Sequence, residues 1–344
     1  IALIGPLASD KNSSLGNWRS QAISNSATSV LEAMTNYSGN KLFYEKGVDL
    51  YYNNTDFHNR VNLNLHDRSE FNKAKTVAEK ADIVVMVLGE EGYQSGEGRS
   101  RTNIKLPGLQ LELLKEIYEI NKNIVLVVNS GRPIDLSWED ENIPTIVQAW
   151  QLGSRSGEAI AKVLYGDYNP SGKLTMSFPR NVGQVPIYYN FKNTGRPSTS
   201  IEQVTNSGYA DVENSALYPF GHGLSYTKFS YTDVLLDKTE LTLKSKITLS
   251  FKIKNIGTVK GTEIAQMYIR DVVGSIARPM RELKGFKVVE LNPGESKVVN
   301  FEINAKLLEF YSYNNKWEAE LGDFQVFVGG SSDTSDFQEF ELVN

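Results

Sequence analysis

The stretch Ile83-Val-Val-Met-Val-Leu-Gly-Glu-Glu-Gly-Tyr-Gln-Ser-Gly-Glu-Gly-Arg-Ser-Arg101 joins an apolar run to a loop rich in glycine and charge. The run from Ile83 to Leu88 is continuously apolar and mostly β-branched, which predicts a strand buried on both faces of a sheet. Glu97 stands between two glycines in the loop that follows, so the loop has the backbone freedom to present its carboxyl group to a ligand. This stretch therefore predicts a covered sheet with a functional loop at a strand end.

Apolar strands and amphipathic helices alternate through the first half of the chain. Further strands are predicted at residues 1–5, 124–128 and 145–147, and helices at residues 71–81, 109–117 and 158–164. This order predicts an α/β domain with a mainly parallel sheet, in which ligands bind at loops that follow the carboxyl ends of strands. The first strand is preceded by neither a methionine nor a leader, so we expect that an upstream segment is missing.

The last third of the chain changes to a period of two. Ile247, Leu249, Phe251 and Ile253 alternate with polar residues, which predicts a half-buried antiparallel strand. Similar strands are predicted at residues 264–269, 286–291, 298–303 and 324–328, and together they indicate an all-β sandwich of immunoglobulin or fibronectin type. Residues between these halves are rich in Pro, Gly, Asn and Tyr. We divide the chain into 1–180 (α/β), 181–227 (packed linker) and 228–344 (β-sandwich).

Composition excludes several classes of partner and site. The chain has 344 residues, 40% of them apolar, enough for a core in each of about two domains. Its net charge of -5, with scattered Lys and Arg, argues against nucleic acid, and no apolar run approaches the roughly 18 residues of a membrane span. With no cysteine and three histidines, it predicts no thiolate or histidine-rich metal site. His222, in a glycine-flanked turn, is expected to be structural.

Two other enzyme classes fit the motifs poorly. Gly96-Glu-Gly98 lacks the third glycine of a dinucleotide fingerprint, and no Gly-x-Ser-x-Gly elbow of a serine hydrolase occurs. Both interpretations are therefore weak, and no cofactor is implied.

Six motifs carry a close resemblance to family 3 glycoside hydrolases, nearest to the periplasmic bacterial β-glucosidases of that family. They are Ile4-Gly-Pro-Leu-Ala8, Leu15-Gly-Asn-Trp18, Ser95-Gly-Glu-Gly-Arg-Ser-Arg101, Gly166-Asp-Tyr-Asn-Pro-Ser-Gly-Lys-Leu174, Ser177-Phe-Pro-Arg180 and Tyr218-Pro-Phe-Gly-His-Gly-Leu-Ser-Tyr226. The similarity covers essentially the whole chain. It implies an α/β sandwich domain followed by a fibronectin type III-like domain, and an N-terminal (β/α)8 barrel that this chain lacks.

The resemblance also implies roles for individual residues. Glu97 matches the general acid/base of several members, while the aspartate nucleophile lies on the barrel. Trp18 matches an aromatic residue that stacks on the leaving-group sugar, although an ordinary core tryptophan is the alternative. Arg101 is a candidate substrate contact that could orient a carboxylate or fasten the loop. The alternative for Glu97 is a solvated loop carboxylate paired with Arg99 or Arg101, which the motif makes the weaker interpretation. Glu90 is the second candidate for the acid/base, with Glu91 close by.

Three functions remain open from the sequence. The first is the C-terminal part of a retaining β-glucosidase, acting on β-glucosides or oligosaccharides with a barrel supplied in the same precursor or by another chain. The second is a noncatalytic carbohydrate-binding or assembly module, and the third a nucleotide-using enzyme. The resemblance favours the first, with a periplasmic or extracellular location in bacteria, and allows a homodimer.

Overall fold

The structure, a computed structural model, describes residues 1–37, 39–53, 55–197, 202 and 205–344. These residues form two compact units, one of residues 1–168 with 179–183 and the other of residues 169–178 with 184–344. Within the predicted linker, residues 198–201, 203 and 204 lie outside the described residues. The predicted division into 1–180, 181–227 and 228–344 stays a prediction.

A parallel five-stranded sheet forms the centre of the first unit. Its strands are β1 (Ala2–Ile4), β2 (Phe43–Glu45), β3 (Val84–Gly89), β4 (Ile124–Asn129) and β5 (Thr145–Gln148). They lie in the order β2-β1-β3-β4-β5, and every neighbouring pair is parallel. The predicted parallel sheet is thus confirmed.

Helices cover both faces of this sheet. They are α1 (Val30–Thr35), α2 (Phe71–Glu79), α3 (Gln110–Ile120), α4 (Ser137–Asn142) and α5 (Ser156–Leu164). Side chains alternate along a strand, so consecutive residues face opposite layers. Leu3 packs in one cluster with residues of α1 and α5, whereas Ile4 lies near Ala74 of α2 and Leu113 of α3. The unit is therefore an α/β sandwich.

Two details of the sequence prediction are wrong at the margins of the sheet. Ile83 is exposed and precedes β3, which begins at Val84. Strand β5 was expected to be buried, but Thr145 is exposed and the other residues are half-buried. Because β5 is an edge strand, it has a neighbour on one side only and loses part of its cover.

The second unit is an all-β sandwich, as predicted. Its elements are β6 (Phe229–Leu236), β7 (Glu240–Thr242), β8 (Lys246–Asn255), β9 (Gly261–Asp271), β10 (Glu282–Leu291), β11 (Ser296–Asn304), α6 (Ala305–Leu308), β12 (Phe310–Tyr311), β13 (Trp317–Glu318), β14 (Gly322–Gly329) and β15 (Phe337–Val343). One sheet has the order β10-β9-β14-β15-β7 and another the order β11-β8-β6. Phe251 and Phe301 of the second sheet share a core with Met267 and Phe324 of the first.

The strand order of the first unit reverses between β1 and β3, which is where a ligand crevice is expected in a sheet of this type. From β1 the chain passes to β2 on one side of β1, and later enters β3 on the other side. Loops that leave the carboxyl ends of β1 and β3 therefore diverge, and ligands of open α/β sheets bind at such a reversal. Trp18 lies in the loop after β1 and Glu97 in the loop after β3.

Candidate active site

The loop after β3 is buried where it leaves the strand, and this part of the loop is called its base. Glu90 directly follows the strand, its side chain is fully buried, and its amide donates to the carbonyl of Asn129 at the end of β4. Its carboxylate accepts from Arg101 Nη1 at 2.6 Å and lies 3.1 Å from Arg132 Nε. A buried carboxylate is tolerated when cations and hydrogen bonds satisfy it, so this arrangement is a structural anchor.

The tip of the same loop is exposed. Glu97 lies in a turn between Gly96 (φ +106°) and Gly98 (φ +68°), both in the left-handed region that glycine adopts without strain. At Gly96 a Cβ atom would lie 2.0 Å from Nδ2 of Asn17, so the close approach itself requires glycine. Within the described part of the chain, no hydrogen bond or ion pair reaches the Glu97 carboxylate. Its carboxyl group is therefore accessible to a ligand.

Residues on both sides of Trp18 join the β1 loop to the β3 loop. Asn17 Nδ2 donates to the Ser95 carbonyl at 2.6 Å, and Arg19 Nη2 lies 3.1 Å from Glu91 Oε1. The Trp18 side chain is 69% exposed and lies beside Phe57, with 6.1 Å between ring centroids. The alternative of a core tryptophan is therefore wrong. The structure brings Trp18 and the Glu97 loop into one surface.

Glu91 belongs to the base rather than the tip. It is buried, it accepts from Thr55 as well as Arg19, and its Oε2 caps the short turn that starts at Gly92 by accepting from the amide of Tyr93. Burial raises the pKa of the Glu91 carboxyl. With Asp10 and Tyr51 it lines a polar cavity of about 290 Å³. Its contacts leave Glu91 a fixed part of the scaffold.

Arg101 was predicted to contact substrate, and its guanidinium binds Glu90 at the start of the loop. Besides Glu90 it donates from Nη2 to the Lys105 carbonyl at 3.2 Å, and its side chain is 17% exposed. The contact with substrate stays a prediction, and the contact with Glu90 gives Arg101 the second role foreseen for it, as a fastener of the loop.

The sequence reasoning missed Arg132. This residue follows β4 in Ser130-Gly-Arg-Pro133, and its Nη2 donates to the carbonyl oxygens of Gln94 and Arg99, the latter at 2.8 Å. Its Nε donates to Glu90. An arginine after a strand that neighbours the Glu97 strand was the available signal, since such strand ends meet at one edge of a parallel sheet.

Exposed apolar side chains concentrate on the loops at this edge of the first unit. After β1, β2 and β5, large apolar residues stand in solvent at Trp18, Ile23, Tyr52, Phe57, Leu65 and Leu152. Isolated exposed apolar residues are ordinary, but several at one edge are typical of a surface that another domain or molecule covers.

The residues that the structure describes offer no metal site of three or more His, Cys, Asp or Glu side chains. Their helices include none long and apolar enough to cross a membrane.

Comparisons with known proteins agree with this architecture. The family model for the glycosyl hydrolase family 3 C-terminal domain matches residues 1–226, and the model for the fibronectin type III-like domain matches residues 263–332. The periplasmic beta-glucosidase of Salmonella typhimurium is 40% identical over all of this chain and 46% of its own length. A beta-xylosidase of Formosa agariphila is 35% identical, again over all of this chain and 46% of its own length.

Solved structures give the same result. The beta-glucosidase of Listeria innocua in complex with glucose superposes with a TM-score of 0.88 and 33% identity, over 100% of this chain and 46% of that one. This chain spans about half the length of the relatives it matches. The family model matches residues 1–226, and the whole of this chain aligns with the Salmonella typhimurium relative. The chain therefore belongs to glycosyl hydrolase family 3 and corresponds to the C-terminal portion of its members.

Proposed function

We propose that this chain is the C-terminal part of a retaining β-glucosidase, in which Glu97 is the general acid/base and a barrel domain supplies an aspartate nucleophile. The observation that carries the proposal is the state of Glu97, which is exposed at the loop tip without a protein partner among the described residues. A carboxyl group that must give and take a proton within one turnover has to reach the reacting oxygen, and exposure at the loop tip provides that access.

The proposed reaction has two steps. In the first, the nucleophile attacks the anomeric carbon while protonated Glu97 gives its proton to the departing glycosidic oxygen. In the second, ionised Glu97 takes a proton from the water that attacks the glycosyl-enzyme ester, which releases the sugar with retained configuration. Two carboxyl groups about 5 to 5.5 Å apart perform this chemistry.

The neighbouring glutamates do not supply the second carboxyl group. Glu90 is fully buried between Arg101 and Arg132, and Glu91 is buried against Arg19. A nucleophile must reach the face of the sugar opposite the leaving group, which buried and saturated carboxylates cannot do. We therefore infer that the second carboxyl group comes from another domain, and the exposed apolar residues on the loops of this edge favour a cover over it.

Several finer points belong to the same proposal. The barrel is supplied in cis or as a separate chain, and the substrate carries a terminal β-D-glucosyl residue. Trp18 stacks on the leaving-group sugar, and Arg101 contacts substrate from the loop base. Because the Salmonella typhimurium relative is named a periplasmic enzyme, we propose a periplasmic or extracellular location.

The test is hydrolysis of aryl β-glucosides by this chain alone and by a joined form, in which the chain follows the N-terminal part of the Salmonella typhimurium relative that it does not match. We expect the chain alone to be silent and the joined form to be active. Glu97→Ala in the joined form should slow substrates with poor leaving groups by roughly 10²–10⁴-fold and spare activated ones in the first step. Glu141→Ala, at an exposed glutamate of α4, is the matched control.

Two results would overturn the proposal. Full activity of Glu97→Ala on poor leaving groups would move the acid/base elsewhere. A folded joined form that binds sugars but never turns over would favour the noncatalytic carbohydrate-binding or assembly module instead.

A further inference from the structure

Arg132 holds the Glu97 loop at two points. Its Nη2 donates to the carbonyl oxygens of Gln94 and Arg99, which stand immediately before and after residues 95–98. These four residues form the tip that carries Glu97. A single guanidinium group thus joins the two ends of the tip.

Glu90 fixes the guanidinium that makes this bridge. The Arg132 Nε lies 3.1 Å from Glu90 Oε1 and donates to Oε2 at 3.2 Å, and the Glu90 side chain is fully buried. Arg101, which follows the tip in the sequence, donates to the same carboxylate. Glu90 itself is held to the end of β4 by its backbone. Through Glu90, the Arg132 bridge is therefore fixed to the parallel sheet.

The other contacts of the tip lie at its two ends. Asn17 donates to the Ser95 carbonyl and Gln151 to the Ser95 hydroxyl, while the Arg99 guanidinium donates to the carbonyl oxygens of Phe57 and Asn59. Residues 96–98 themselves are exposed. The two glycines beside Glu97 leave the backbone free to adopt alternatives when these contacts are lost. Among these contacts, that of Arg132 joins one end of the tip directly to the other.

We propose that Arg132 is a positioning residue for Glu97, fixing the distance between the acid/base and the scissile bond without touching the substrate. This inference rests on the proposed function. A displacement of about 1 Å in a reacting group can cost roughly 100-fold in rate, so a bridge across the loop has a direct catalytic effect.

Lysine cannot replace this residue. The planar guanidinium presents its donors in a fixed fork, so one group can bind Glu90 and two carbonyls at once, whereas an ammonium is a point charge on a flexible stem. Arg132→Lys keeps the positive charge opposite Glu90 and removes the bridge. The matched control is Arg68→Lys, in the exposed Arg68–Glu112 ion pair of the same unit.

The experiment is a double-mutant cycle in the joined enzyme. Arg132→Lys, Glu97→Ala and the double variant are assayed with phenyl and dinitrophenyl β-glucosides. We expect Arg132→Lys to slow the phenyl substrate by roughly 10- to 100-fold and to be silent in the Glu97→Ala background, because the group it positions is gone. Arg68→Lys should leave the rate unchanged in both the wild-type and the Glu97→Ala backgrounds. Melting temperatures identify any general loss of folding.

A second measurement reads the loop directly in the chain alone. Hydrogen exchange of the Gln94 and Arg99 amides, which donate to the carbonyl oxygens of Glu91 and Gly96 at the two ends of the tip, should quicken at least tenfold in Arg132→Lys while amides of β3 keep their protection.

The outcomes distinguish failure of the proposed function from failure of the positioning role of Arg132. If Glu97→Ala alone is fully active, the proposed function fails. If Glu97→Ala is impaired but Arg132→Lys multiplies that defect, or leaves both rate and exchange unchanged, Arg132 does not position Glu97 and this inference is overturned.

Discussion

At the base of the β3 loop Glu90 is buried between two arginines, whereas at the tip Glu97 is exposed and no described residue binds it. The two residues have the same side chain and lie seven positions apart. Burial with full pairing makes Glu90 part of the scaffold, because its charge is already satisfied. Exposure without pairing leaves Glu97 available for chemistry. Loss of the first should therefore damage stability, and loss of the second activity.

Glu90→Ala is expected to have the largest effect on stability. It would leave Arg101 and Arg132 partly buried without their carboxylate, a change that costs about 4 kcal/mol in comparable buried pairs. Urea unfolding of the chain measures the loss. Glu112→Ala, which breaks an exposed pair with Arg68, should shift the midpoint little. Equal effects of the two variants would contradict the scaffold role of Glu90.

Glu139 sharpens the comparison, because it is buried without an arginine. Burial raises the pKa of its carboxyl to about 7, and its Oε1 is buried without a hydrogen-bond partner among the described residues. The charge of Asp135 adds to this rise in pKa, whereas the charges of Lys105 and Lys115 oppose it. The Glu139 carboxyl therefore binds its proton more tightly in the folded than in the unfolded state. The stability this contributes is present at low pH and is lost as the pH rises from about 4.5 through about 7.

The loss amounts to at most about 3 kcal/mol. Urea unfolding between pH 5 and pH 8 measures it, and Glu139→Gln should flatten the profile and be the more stable protein at pH 8. A wild-type profile that matches that of Glu139→Gln would show that Glu139 stays ionised when folded.

The two glycines beside Glu97 should differ from each other. Gly96→Ala meets both a positive φ and Asn17, whereas the added methyl of Gly98→Ala has open space and meets only the positive φ. We expect losses of about 2 and about 1 kcal/mol in the free energy of unfolding. Chemical denaturation of the chain compares them. A reversed order would place the tip differently against the β1 loop.

How far the sequence predicts this molecule depends on the range of the contacts. The alternation in β8 and the apolar run of β3 are local, and both elements form where expected. The short edge strand β2 has no buried pattern and was missed. Arg132 was missed because its contacts with Glu90 and the loop ends exist only once β3 and β4 lie side by side. Whether Trp18 is core or surface is likewise decided by tertiary packing.

Trp18→Ala should give the smallest effect. The exposed ring contributes little to folding, so the unfolding midpoint should not move. Loss of stacking on the leaving-group sugar is worth about 1 kcal/mol, or roughly fivefold in KM for a disaccharide. Kinetics of the joined enzyme with cellobiose and with an aryl glucoside test this. An unchanged KM for both substrates would remove Trp18 from the site.

The most direct test of the central claim is product analysis of Glu97→Ala in the joined enzyme, with dinitrophenyl β-glucoside and added azide. If Glu97 is the acid/base, azide needs no deprotonation to attack the glycosyl-enzyme, so turnover should recover and β-glucosyl azide should form. Glu90→Ala, where it folds, should give glucose without azide rescue. Glucose as the sole product of Glu97→Ala, at a rate unaffected by azide, would contradict the account.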